Sequence, residues 1–307
     1  MKPTTLYIDG VALWAPALPG WAQARAAFRG EAAPVIVEVK RPAPQMLAAN
    51  ERRRAPDTVL LALEVAAAAT AMSGHNAAML ASVFTSAHGD LPITDTLCRT
   101  LAEQPLALSP TRFHHSVHNA ASGYWAIGSG SHAASTALAA GAHSFAAGLL
   151  EAACQCAADN APVLLAGHDT EAVGPLTSVN RSRGLLAVAL VLSPRRGAAS
   201  RWAVSWNLRR NLQANLQADL TAGLTAGLQA GLQAGLLVES KAPALRSTAA
   251  HSLADNAMAH ALPLFEALAA EQPHTLALPM STTQHLAVAI TPLFETAACA
   301  QPRGAGA

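Results

Sequence analysis

Charge is scarce in this chain. Only 13% of its 307 residues are Asp, Glu, Lys or Arg, and the formal net charge is +1. Such a balance sets up no broad field to gather nucleic acid or an anionic membrane, so any partner has to be recognised locally. Aromatic residues make up 4%, too few stacking platforms for a single-strand binder. The four cysteines, Cys98, Cys154, Cys156 and Cys299, have neither zinc-knuckle spacing nor the density of a secreted disulfide scaffold. Reduced thiols and a cytoplasmic location are expected. The first residues lack a continuous apolar run and carry Asp9 where one would lie, which argues against secretion. From Phe113 to Leu150 there is no Asp, Glu, Lys or Arg for 38 residues. Five histidines and many Ser and Gly residues in that stretch make it a poor membrane span, and it reads as a segment buried in protein, a subunit contact included.

Apolar residues, by contrast, reach 51%, ample for a substantial core. Leu6 to Leu13 reads as a strand and Gly20 to Phe28 as a helix, with a Pro-rich loop from Pro34 to Asn50. Pro56-Asp57 opens a helix through Met72 that Gly74 stops. A strand at Ser82 to Ser86, helices at Thr94 to Glu103 and Ser116 to Ile127, and a strand at Ala133 to Leu138 follow. Next come a long helix from Gly141 to Ala158 and two continuous apolar strands, Val163 to Gly167 and Leu185 to Leu192. Strands of this kind alternating with helices predict a layered α/β core. Asn256 to Ala269 reads as an amphipathic helix, and Thr275 to Leu278 and His285 to Ile290 as strands that complete the sheet or pack on it.

Between these parts the leucines from Leu208 to Leu236 recur every four residues. That period overshoots the helical turn by about 40° per repeat, so the stripe winds around a helix instead of staying on one face. Gly223, Gly227, Gly231 and Gly235 each cost about 1 kcal/mol in a helix interior. The repeat reads as a low-complexity surface connection that folding and partner binding do not need.

Three local motifs invite chemistry. His114 and His118 have the i, i+4 spacing of zinc ligands on a helix, but no Glu follows the first His as in a metalloprotease. Gly128-Ser129-Gly130-Ser131 follows a helix and enters a strand, the reverse of a dinucleotide loop. Arg52-Arg53-Arg54 stand just before a helix N-terminus, where positive charge opposes the macrodipole, so they are either solvated or meet an acidic partner. No metal and no cofactor are expected.

The segment Thr136-Ala137-Leu138-Ala139-Ala140-Gly141 resembles the nucleophile turn of a ketosynthase of the thiolase superfamily, a Thr-Ala-Cys-small-Ser-Gly elbow, with Leu138 in place of the cysteine. Upstream, Asn119, Gly123 and Ile127 match the spacing of a ketosynthase helix. Downstream, Gly141 to Gly148 resembles the small-residue helix after the nucleophile, and Pro162 to Asp169 the next strand. Tyr7 to Pro16 resembles the family's first strand and loop. The resemblance runs over about residues 5–194 and is nearest to the chain-length factors of aryl-polyene and related type II synthases.

That resemblance implies a thiolase-like layered α/β fold, one ketosynthase half over residues 1–200, a repeat insertion at 201–245, and a C-terminal helix and strands at 246–307 with a disordered tail. It implies a subunit that is not an enzyme by itself, because leucine offers no lone pair and no Cys-His-His set is present. The subunit would pair with an active ketosynthase and shape its acyl tunnel in polyketide or fatty-acid-like synthesis. The implied tunnel and interface residues are Val117, His118, Asn119, Gly123, Tyr124, Trp125 and Leu138, and acyl carrier protein would meet Arg52, Arg53 and Arg54. Two alternatives stand beside it: an acyltransferase or hydrolase using His118 or His143 with Ser116, Ser122 or Ser144, and an adaptor organised by the leucine repeat.

Overall fold

In the computed structural model, which describes residues 5–34, 41–210 and 243–293, the chain runs β1 (Thr5–Trp14), α1 (Trp21–Phe28), α2 (Ala49–Arg54), α3 (Asp57–Ser73), β2 (Ala81–Thr85), α4 (Leu91–Glu103), α5 (Pro110–Ser116), α6 (Ala120–Ser129), β3 (Ser135–Leu138), α7 (Ser144–Asp159), β4 (Val163–Asp169), β5 (Leu186–Ser193), β6 (Trp202–Arg210), α8 (Thr248–His251), α9 (Leu262–Ala270), β7 (His274–Pro279) and β8 (Gln284–Pro292). The eight strands of the described residues join one sheet in the order β3-β2-β4-β5-β1-β6-β8-β7. β2 is parallel to β3 and β4, and the remaining pairings are antiparallel.

Period-two burial divides the interior into two cores. Leu186, Val188, Leu190 and Leu192 of β5 enter a core with α1, α7 and α9, while Ala187, Ala189 and Val191 enter the core under α3 and α6. Burial on both faces is why β4 and β5 read as unbroken apolar runs. In β1 the parity switches: Leu6 and Ile8 share the first core with Val11 and Leu13. A register shift between Ile8 and Gly10 makes that possible, since one extra residue returns later side chains to the same face. Asp9, the bulged residue, is buried and accepts hydrogen bonds from the hydroxyls of Ser193 and Ser200 and from His75. Gly10 lets α3 lie against the strand, because a Cβ there would stand 2.0 Å from the carbonyl oxygen of Ala69.

Helix ends follow local chemistry. Pro56 and Asp57 open α3, and Gly74 closes it in the left-handed region at φ 71°, as the sequence predicts. Asp90 caps α4 through Ile93 N–H at 2.8 Å, starting that helix three residues earlier than expected.

Several expectations change. The helix read over 116–127 is two helices, because Ser109 and Pro110 start α5 early and Val117 is extended at ψ 139°. The region read as changing character after Pro194 contributes β6, so the sheet takes the first part of the range 201–245. Residues 256–269, read as amphipathic, form a 3-10 turn at Ala257–Ala261 and then α9, which is buried on every side from Leu262 to Ala269. Such a helix shows no polar stripe, which is why its sequence pattern misleads. Arg52, Arg53 and Arg54 occupy the last turn of α2, where positive charge favours the helix. The repeat from Leu212 onward and the tail lie outside the described residues. Among the described residues no helix is long and apolar enough to cross a membrane.

Candidate functional site

Parallel β2, β3 and β4 end together, and the carboxyl ends of parallel strands are where open α/β sheets place their sites. Leu138 closes β3, opposite Thr85. A 3-10 turn at Gly141–His143 follows, and α7 begins only at Ser144, so the elbow does not pass straight into a helix. The Ser144 hydroxyl accepts from Ala140 N–H at 2.9 Å and donates to Gly141 O at 2.7 Å. One elbow amide is therefore already occupied.

Behind the elbow lies a buried polar group. Asp169 accepts from the Ser86 hydroxyl at 2.7 Å and from Ala87 N–H at 3.0 Å. Burial lifts its carboxyl to about 6, against those hydrogen bonds. His168 is 3% exposed, and its Nδ1 has no hydrogen-bond partner among the described residues. Burial, aided by nearby His118, lowers its pKa to about 3. His118 itself bonds the carbonyl of Ser86 through Nε2 at 3.1 Å. Burial next to His143 also lowers His260.

The signs of these two shifts oppose each other. Between its ordinary 6.5 and about 3, His168 takes up a proton only in the unfolded chain, so acidification destabilises the fold. Between about 6 and its ordinary 3.8, Asp169 holds a proton only in the folded chain, and its contribution is lost as pH rises through 6. Replacing His168→Phe removes the first effect and leaves the second. Urea unfolding is expected to show the variant gaining about 2 kcal/mol relative to wild type between pH 7 and pH 5, from about 1.4 kcal/mol per pH unit for one proton. A difference that stays constant with pH contradicts the burial of neutral His168.

The residues expected to form one tunnel lining are split by the sheet. Leu138 packs against the core of α7, whereas Tyr124 and Trp125 belong to the core under α3 and α6. Trp125 is 2% exposed and packs on Phe84 at 6.5 Å, as part of this chain's own interior. Tyr124 OH meets His115 Nε2 at 2.9 Å. Asn119 and Gly123 are exposed, as are Val117 and Ile127, the last at 79%. Asn119, Gly123 and Ile127, four apart, share one open stripe of α6. β3 is one of the sheet's two edge strands among the described residues, β7 being the other.

His114 and His118 do not share a helix, so their spacing carries no metal geometry. Among the described residues no group of three or more His, Cys, Asp or Glu is placed to hold a metal ion. Each serine of the hydrolase alternative donates to a local carbonyl: Ser116 to Phe113, Ser122 to Asn119 and Ser144 to Gly141. Cys156 is buried and Cys154 exposed, and burial beside Asp9 pushes the Cys156 thiol up to about 12. Arg53 and Arg54 are exposed, and Arg52 bonds the Pro44 carbonyl at 3.4 Å. Sequence reasoning passed over Ser86, His168, Asp169 and His260 as site residues. The visible signal was His-Asp ending an otherwise apolar strand.

The family model described as beta-ketoacyl synthase, N-terminal domain, matches residues 20–251, past the 194 at which the resemblance was read to end. No curated protein matches the chain. A solved ketosynthase in complex with its chain length factor from Xenorhabdus doucetiae has a similar chain, with a TM-score of 0.65 and 21% identity over 93% of this chain and 99% of that one. The ishigamide ketosynthase/chain length factor gives 0.68 at 14% identity, covering 94% and 100%. A type II acyl-carrier protein in complex with its hexaketide-bound ketosynthase gives 0.67 at 12% identity, covering 94% and 99%. Identities this low carry the fold, which is the thiolase-like α/β fold in a single half-size domain. With its family model spanning most of its length, the chain belongs to the beta-ketoacyl synthase N-terminal domain family.

Proposed function

We propose that this chain is a chain-length factor, a subunit that performs no condensation itself and pairs in the cytoplasm with a complete ketosynthase. The carrying observation is Leu138 at the end of edge strand β3, where the family places its nucleophile. Exposed Gly123 and Ile127 beside that edge offer an apolar surface for the partner. The ketosynthase supplies the cysteine and both histidines for decarboxylative condensation on carrier-protein thioesters. The exposed arginines of α2 supply the acidic carrier protein with a contact.

Chain length is then a matter of shape. Leu138 walls the tunnel from the α7 face, and Trp125 supports α6 from within the chain. Burying one methylene is worth about 0.8 kcal/mol, while overpacking costs about 1–3 kcal/mol, enough to end elongation at one length. In a reconstituted system of ketosynthase, this chain and malonyl-loaded carrier protein, Leu138→Ala is expected to lengthen the mean product and Leu138→Phe to shorten it, read by mass spectrometry of released chains. Identical product distributions from both variants refute length control at Leu138.

A further inference from the structure

We propose that the cleft between α1, the end of α3 and the start of β6 binds an amphiphilic carboxylate, a monoanion carrying an apolar body. Its volume is about 400 Å³, within the range of about 300–1,000 Å³ typical of small-molecule sites. It lies on the β1–β6 side of the sheet, with β5 and β4 between it and the β2–β3 edge, so it is separate from the elbow.

The walls are built for a flat or extended apolar group. Trp21 is fixed edge-on against Phe265 of the core at 6.0 Å and 77°. Trp202 is 3% exposed, and its strand is paired with Ile8 on one side and Pro292 on the other. Met72 adds a thioether whose sulfur accepts from Val11 N–H at 3.4 Å. Rigid indoles contribute contact area at little entropic cost.

The charge at the mouth selects the head group. Arg25 and Arg201 line the cleft, with Glu271 as the one acid among its described lining residues. Both oxygens of Glu271 are taken, one by Arg25 at 2.9 Å and the other by Arg29 at 3.2 Å. The exposed Arg201 side chain has no hydrogen bond or ion pair with any described residue, while its backbone is pinned by Ile8 O at 3.0 Å and Leu293 N–H at 2.9 Å. A guanidinium with no ion-pair partner among the described residues, set beside indole walls, fits a carboxylate, which it can meet with two parallel hydrogen bonds.

Calorimetric titration of the full chain with octanoate, 1-octanol and inorganic phosphate separates head from body. Octanoate is expected to saturate one site per chain, with octanol and phosphate each at least about ten-fold weaker, the worth of one charged hydrogen bond. Arg201→Gln should bring octanoate down to the octanol level, with circular dichroism unchanged. Met72→Glu, which puts a carboxylate in the wall, should do the same, and Arg201→Gln alone decides if that second variant does not fold. Octanol or phosphate binding as tightly as octanoate, or octanoate binding unaffected by Arg201→Gln, overturns the proposal.

Discussion

Purified alone and mixed with acyl- and malonyl-carrier protein, the chain is expected to yield no condensation product and no acylated protein. On the proposed reading Leu138 stands where the family places its nucleophile, and leucine has neither lone pair nor acid. Restoring the thiol is not expected to restore the reaction. In Leu138→Cys the new sulfur would sit where Ser144 already occupies Ala140 N–H at 2.9 Å, which removes one donor from any oxyanion site. His168 and His118 lie nearby, but His168 is held neutral by burial and His118 is bound to Ser86 O. With its pKa lowered to about 3, His168 is too weak a base to draw a proton from a thiol near neutral pH, and His118 keeps only Nδ1 for that work. Intact-protein mass spectrometry should show the variant taking up one more iodoacetamide label than wild type, whose Cys98 and Cys154 are already exposed, yet still inactive. Turnover by the wild-type chain alone would favour a histidine-dependent enzyme instead.

Gly123→Arg should separate the partner from the fold. A Cβ at Gly123 meets nothing within 4 Å among the described residues, so an arginine fits there without a clash against them. Replacing a helical glycine is worth about 1 kcal/mol at most and in the stabilising direction. The thermal midpoint of the isolated variant is therefore expected to match or exceed wild type. Against a ketosynthase the same side chain places an unpaired charge in an apolar interface, at about 3–5 kcal/mol, or at least about a hundred-fold in affinity. Size-exclusion chromatography of the co-expressed pair is the readout. A Gly123→Arg chain that still co-elutes excludes α6 from the interface.

Much of this fold is legible in the sequence because its signals are local. Pro56, Asp57 and Gly74 mark both ends of α3, and the apolar runs of β4 and β5 announce burial on both faces. The end of β3 at Leu138 is likewise legible, since the Thr136-to-Gly141 motif places a strand end there. What stays hidden depends on tertiary context. β6 alternates weakly and is defined by pairing with β1 and β8; α9 is buried all round and shows no polar stripe. The Asp9 bulge is a register event that composition cannot show. The division of Leu138 from Tyr124 and Trp125 follows from strand parity, which requires knowing which face each helix covers. His168 and Asp169 become a polar group only once β2 and β4 are paired and Ser86 is brought to the Asp169 carboxylate.

Native mass spectrometry of this chain co-expressed with a ketosynthase that keeps its Cys-His-His set tests the central claim most directly. The account predicts a 1:1 complex that survives size exclusion, as an obligate interface burying more than about 2,000 Å² should. A well-folded monomer of this chain eluting apart from a ketosynthase homodimer would contradict it.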